Sequence, residues 1–139
     1  VSRERFLIDK SALARWGKPA VRPVLDDLSQ RALLAISPTV EMEVLYSART
    51  LAEAERLRHL LRGFDYLSCP DEVWDRAKQV QQQALFRGNH RALSMADLLI
   101  AATAERHGVT VLHYDGDYDM IAAITGQPAR WVVPAGTAD

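Results

Sequence analysis

Residues 95–104, MADLLIAATA, are apolar apart from Asp97 and Thr103. A helix apolar on nearly every face has to be buried on most sides, so the rest of the chain must provide its cover. The carboxylate is the anomaly, because a bare one in such a helix costs several kcal/mol unless a cation or hydrogen bonds compensate. Ser94 can cap this helix, which makes Asp97 its third residue. There a carboxylate can complete a capping box and favour the positive helix end. Cap and cation site are compatible roles.

Around this helix the chain alternates short apolar runs with helical stretches. RFLID (5–9) reads as a first strand and SALARWG (11–17) as a helical turn or short helix ending at Gly17. VRPVLDDLSQRA reads as a second helix and LLAIS as a second strand, with Ser37-Pro38 as N-cap and first-turn proline of TVEMEVLYSART. LAEAERLRHLLRGF is an amphipathic helix closed by Gly63, FDYLS a third strand, and PDEVWDRAKQVQQQALFRG a long helix with Val73, Ala77, Val80 and Ala84 on one stripe. After MADLLIAATAERHG come the strand VTVLH, the short helix DYDMIAAIT and a last strand, RWVVP. This order predicts an α/β domain, a central mainly parallel sheet of four to five strands flanked by helices. The 139 residues, 48% hydrophobic and 25% charged, fit a single domain over 1–139 with one core.

Charge and cysteine content narrow the classes of function. With 17 basic and 18 acidic residues the net charge is −1, so no bulk positive field marks a nucleic-acid binder and any such contact must be local. Cys69 is the only cysteine, which excludes an internal disulfide and a cysteine-rich zinc site and leads us to expect a reducing, cytoplasmic setting. VSRERFLIDK has only a three-residue apolar run, too short for a signal-peptide core. No membrane association is expected, since no stretch approaches the roughly 20 apolar residues a span requires.

Several acids sit where strands end. Asp9 follows the first apolar run, and in open α/β sheets ligand sites gather at carboxyl strand ends, although Asp there is often simply an N-cap. Asp115, Asp117 and Asp119 crowd LHYDGDYDMIAA directly after the fourth strand. Glu41 and Glu43 share one helix but lie roughly 200° apart around it, so both cannot face one site, and helix geometry alone does not choose between them. An EF-hand starting at Asp115 fails, because its sixth position is Met120 and its twelfth Gly126. A haloacid-dehalogenase-like phosphotransferase would use Asp9 as nucleophile, yet the second carboxylate it needs two residues on is Ser11. A receiver-type phosphoacceptor lacks its late-strand lysine, the only lysines being Lys10, Lys18 and Lys78. Converging carboxylates without histidine or cysteine ligands suit hydrolysis of a phosphodiester with hard, oxygen-liganded Mg²⁺ or Mn²⁺.

Four segments, FLIDKSALAR, SPTVEMEVLYSAR, SMADLLIAATAERHG and VTVLHYDGDYDMIA, together resemble the PIN-domain ribonucleases, specifically the VapC toxins of bacterial toxin–antitoxin pairs. The resemblance spans essentially the whole chain. It implies a PIN-like fold and an acidic quartet of Asp9, Glu43, Asp97 and Asp115, with Asp117 as accessory ligand, around one or two Mg²⁺ or Mn²⁺ ions. Glu43 is preferred to Glu41 because the family's acid is followed closely by a leucine and a small residue, as in EVLYSA. Ser11 matches a supporting Ser or Thr, whereas His113-Tyr114 replaces the threonine many relatives carry before the late acid, and Asp119 falls outside the pattern.

The resemblance further implies cleavage of RNA to a 5′-phosphate and a 3′-hydroxyl, a homodimer, and a cognate VapB-like antitoxin lying in a groove. Trp16, Leu51, Leu57, Leu60 and Leu61 are candidates for that groove, although a leucine stripe is more often core. Lys10, Arg15, Arg49, Arg87, His90 and Arg91 are candidate RNA contacts, against a background expectation of solvated surface charge for any one of them. A housekeeping PIN nuclease, a small-molecule phosphohydrolase and a non-catalytic module whose acids merely cap helices remain the alternatives.

Overall fold

The short apolar runs become strands too brief to stand alone, so they must be paired and covered on both faces. In the computed structural model, which describes residues 4–139, these are β1 (Phe6–Ile8), β2 (Leu34–Ile36), β3 (Asp65–Tyr66), β4 (Thr110–His113) and β5 (Ala129–Trp131). Every residue of β1, β2 and β4 is buried. The strands form one sheet in the order β3-β2-β1-β4-β5, with every pairing parallel. Phe6 lies opposite Leu34 on one side and Thr110 on the other, so β1 is the central strand. The α/β fold with a parallel central sheet expected from the alternation of elements is thus the fold found, with five strands.

Seven α-helices fill the crossovers among the described residues: α1 (Lys10–Leu13), α2 (Arg22–Gln30), α3 (Pro38–Tyr46), α4 (Leu51–Leu61), α5 (Asp71–Arg87), α6 (Met95–His107) and α7 (Asp117–Thr125). Local chemistry sets their ends. Ser37, Thr50 and Ser94 each accept the N–H three residues on, which starts α3, α4 and α6. Gly108, at φ 67°, stops α6 in the left-handed conformation that costs a side-chain-bearing residue most. In α6 every residue from Asp97 to Ala104 is buried, and the helix packs against α5, α3 and α7 and over β1 and β4. Among the described residues no helix is long and apolar enough to cross a membrane.

Two elements differ in extent from the sequence expectation. The helical turn or short helix expected over 11–17 is an α-helix at Lys10–Leu13. Its next bonds run three residues back, from Arg15 N to Ala12 O and from Trp16 N to Leu13 O, and the chain turns before Pro19. The last strand, expected at RWVVP, is Ala129–Trp131, because its register pairs Ala129 with Val111 and Trp131 with His113 and so exhausts β4. Val132 and Val133 are buried beyond it without being strand residues.

The β1 side chains carry the centre of the core, so Leu7→Ala is expected to cost about 2–5 kcal/mol of unfolding free energy. A urea titration checks this, since Leu7 is fully buried and its shortening leaves a cavity the sheet cannot collapse into.

Candidate metal centre

The strand order reverses at β1. From β1 the chain steps to β2 and β3 on one side, and β4 and β5 lie on the other, so the carboxyl ends of β1 and β4 flank a topological switch point. Chain segments diverge there and leave a crevice, the usual place for a ligand in an open parallel sheet.

Asp9 follows β1 directly and caps α1. It is 4% exposed, and both its oxygens are hydrogen-bonded. Its Oδ2 accepts from Ser11 N at 3.0 Å and Ser11 Oγ at 2.6 Å, while Oδ1 accepts from the Tyr118 hydroxyl at 2.8 Å. Ser11 Oγ in turn accepts the N–H of Tyr114 at 2.9 Å, which joins the end of β1 to the residue after β4.

Asp115 follows β4 by two residues, and its Oδ1 accepts the N–H of Asp117 at 2.9 Å, a local turn that starts α7. Asp97 enters from the first turn of α6, its backbone N–H capped by Ser94 Oγ at 3.0 Å. The cap and the clustered carboxylate therefore coexist. Asp97, Asp115 and Asp117 offer oxygens that all lie within 4.8 Å of one another.

Glu43 arrives from α3. Burial, then the charges of Asp9 and Asp115, push its carboxyl pKa up, and Lys10 pulls the other way. Its Oε1 is buried with no hydrogen-bond partner among the described residues. Glu41, on the other side of α3, instead raises the pKa of Tyr66 on β3 after burial, which places it by the sheet edge. The helix geometry that left the two glutamates open is thus settled by packing, with Glu43 turned to the carboxylates.

Like charge is concentrated here. Burial, and then Asp9, Asp115 and Asp117, push Asp97 up to about 7, although the Ser94 hydroxyl opposes the rise. Asp117 is raised by burial and by Asp115. A buried polar oxygen without a partner, three carboxylates within bridging distance and an all-oxygen donor set fit a hard divalent cation. No thiolate or imidazole competes: His113 lies beneath the cluster with Nδ1 accepting the Asp115 N–H at 3.2 Å, so its neutral ring carries the proton on Nε2. Burial lowers the His113 pKa and keeps the ring neutral.

The candidate basic residues have separate fates. Lys10, next to Asp9, is the cation that acts on Glu43. Arg15 is engaged elsewhere: its Nε donates to Ala138 O at 3.0 Å, its Nη1 to Ser11 O at 2.8 Å, and its guanidinium covers the Tyr114 ring at 4.5 Å. Two of its donors thus tie Ala138 and the α1 turn together. Arg49 is exposed and loosely paired with Glu53 at 3.8 Å. Arg87 and Arg91 are exposed on the stretch leading into α6, where His90 opens a 3-10 turn at His90–Ala92 with its Nδ1 buried and unpartnered. Asp119 stands apart from the carboxylates, both its oxygens accepting from Trp131 Nε1 at 3.3 and 3.1 Å.

Tyr118 escaped the sequence reading. Burial, then the negative charges of Asp9 and Asp97, push its phenol pKa well above the ordinary value, so it stays protonated and donates. A signal existed, since Tyr118 shares the buried face of α7 with Ile121, and a phenol in a core needs a partner for its hydroxyl.

Beside the cluster runs a cleft of about 510 Å³ lined by Trp16, Leu57, Leu60 and Leu61 together with Lys10 and Val44. Leu51 does not line it and is 77% exposed, a correction to its grouping with the other leucines.

The sequence profile of the PIN domain family matches residues 6–124. The chain is 45% identical over 135 residues to ribonuclease VapC21 of Mycobacterium tuberculosis, covering 96% of this chain and 98% of that one. It is 42% identical to ribonuclease VapC51 of the same species, covering 97% and 98%. Among solved structures, the DNA-bound VapBC of Salmonella typhimurium superposes with a TM-score of 0.75 at 17% identity, over 94% of this chain and all of that one. VapBC-1 of nontypeable Haemophilus influenzae gives 0.74 at 14%, over 91% and 97%, and at such identities both speak for the fold.

The raised Asp97 pKa makes a prediction for the cation-free protein. Asp97 moves from 3.8 to about 7 on folding, so the folded state holds a proton the unfolded state has lost between these values. That stability is fully present below about pH 4 and is lost as pH rises through about 7. Asp97→Asn is expected to flatten the decline and, at pH 8, to raise the unfolding free energy on the order of a few kcal/mol, read from denaturant titrations in EDTA at several pH values.

Proposed function

The chain belongs to the PIN domain family, among the VapC ribonucleases, and from that footing we propose that it is a metal-dependent endoribonuclease, the toxin of a toxin–antitoxin pair. The observation that carries the mechanism is the convergence of Asp97, Asp115 and Asp117 within 4.8 Å at the switch point, beside Asp9 and Glu43. We read residues 1–139 as one PIN domain and Mg²⁺ or Mn²⁺ as the cation, in one or two copies.

In this reading Asp9, Glu43, Asp97 and Asp115 are the acidic quartet and Asp117 an accessory ligand. A bound divalent cation lowers the pKa of a water and offsets charge on the phosphate oxygens. The chain's own side chains do the rest. Asp97, at the positive end of α6, and Asp115, held in its turn with Asp117, set the spacing of the donors. Glu43 brings a buried oxygen without a hydrogen-bond partner among the described residues. Asp9 is clamped at both oxygens, and a carboxylate so engaged is a poor nucleophile, which speaks for attack by water over an aspartyl-phosphate intermediate. Water then adds to the RNA phosphorus and the 3′-oxygen leaves, giving a 5′-phosphate and a 3′-hydroxyl without help from the 2′-hydroxyl. Lys10 is a cation whose charge reaches Glu43 and is suited to meet the RNA backbone there.

The same reading includes a homodimer and a VapB-like antitoxin in the apolar cleft beside Lys10, for which Trp16, Leu57 and Leu60 supply the side walls. Purified protein incubated with total RNA is expected to cleave it with Mn²⁺ or Mg²⁺ and to stop in EDTA. Asp97→Asn is expected to lose more than the roughly 10–100-fold that loss of an outer-shell partner costs. Cleavage that persists in EDTA, or in Asp97→Asn, would remove the proposal.

A further inference from the structure

We propose that Tyr118 is a positioning residue for this centre, its hydroxyl fixing the orientation in which Asp9 faces Glu43, Asp97 and Asp115. The inference rests on the reading of the cluster as a metal centre and adds a residue to it.

Packing alone does not call for the oxygen. The Tyr118 ring is 1% exposed and lies against His113, the centroids 4.9 Å apart. A phenylalanine would fill that space. A buried hydroxyl costs free energy unless it is hydrogen-bonded, and this one is spent on a carboxylate oxygen 109 residues away in sequence, at 2.8 Å.

The ring is also held. His113 packs edge-on against Trp131 at 5.2 Å, and Trp131 is anchored through Nε1 to Asp119. On its other edge His113 takes the N–H of Asp115. Tyr118, His113 and Trp131 thus form one aromatic block that touches Asp9 through a hydroxyl and Asp115 through a ring nitrogen. Both strand-end acids are referred to the same rigid body.

The acceptor count sharpens the consequence. A carboxylate has about four lone-pair sites, two on each oxygen. Ser11 fills those of Oδ2 with its N–H and its hydroxyl, and Tyr118 takes one on Oδ1. One site remains, on Oδ1, so Asp9 offers a single direction to a cation. Without the Tyr118 hydroxyl the carboxylate can rock about its Ser11 bonds and present either site of Oδ1.

The test is direct Mn²⁺ binding, by calorimetry or by electron paramagnetic resonance of the free ion, to the full chain, to Tyr118→Phe and to a control, Tyr114→Phe. Tyr114 is also a buried phenol, but its hydroxyl serves the chain at 136–139, accepting from Gly136 N and Ala138 N and donating to Asp139. Tyr118→Phe is expected to weaken Mn²⁺ binding about 10–100-fold while melting close to wild type without metal. Tyr114→Phe is expected to lose thermal stability and keep wild-type affinity. An affinity of Tyr118→Phe indistinguishable from wild type overturns the role, as does an equal loss in Tyr114→Phe, since the effect then follows stability alone. A wild-type chain with no saturable Mn²⁺ site overturns the metal centre itself and the inference with it, whereas tight wild-type binding unchanged in Tyr118→Phe removes only Tyr118.

Discussion

Like-charge repulsion among half-buried carboxylates is the constraint around which this molecule is arranged. Asp9, Glu43, Asp97, Asp115 and Asp117 reach the carboxyl ends of β1 and β4 from four separate stretches of chain. Burial and mutual charge act in one direction, toward protonation, and they drive Asp97 to about 7. In the absence of a cation the fold carries that repulsion as a standing cost, offset by the core of β1, β2, β4 and α6. Stability and the site therefore oppose each other at one helix, a familiar trade at functional centres.

The polar support of the site follows from the same constraint. A carboxylate pressed by neighbours of its own sign will swing away unless held, and Asp9 is held from two sides, by Ser11 within its own turn and by Tyr118 from α7. Asp115 is held by His113 through its N–H and by the N–H of Asp117 through its carboxylate. Tyr114 extends the bracing outward, since its N–H meets Ser11 while its hydroxyl gathers residues 136–139, and Arg15 covers its ring. Arg15 shows how a cation near an acidic site also serves the scaffold.

Much of this was readable from local pattern. The parallel sheet follows from apolar runs alternating with capped helices, and Asp9, Asp97 and Asp115 stood out because each interrupts or ends an apolar segment. What could not be read depends on distant partners. Glu41 and Glu43 sit on one helix, and only the packing of α3 against α1, α4 and α6 turns Glu43 inward and leaves Glu41 near Tyr66. Arg15 looks free in sequence because its acceptor, Ala138, lies 123 positions away. Leu51 belongs to the same leucine series as Leu57, Leu60 and Leu61, yet it opens α4, where the helix has not reached the cleft. The last strand shifted because β4, not its own valines, determines how much of it can pair.

The cleft and the carboxylates are built from shared parts. Lys10 follows Asp9 and Val44 follows Glu43, and both Lys10 and Val44 line the cleft. Within α3 only Val40 is fully buried, so the second half of the helix, which bears Glu43, is fastened less firmly than α6 or β4. The apolar wall and the acidic site therefore meet at two adjacent pairs of residues, one at the end of β1 and one on α3, and Lys10, which lines the cleft, also lowers the pKa of Glu43.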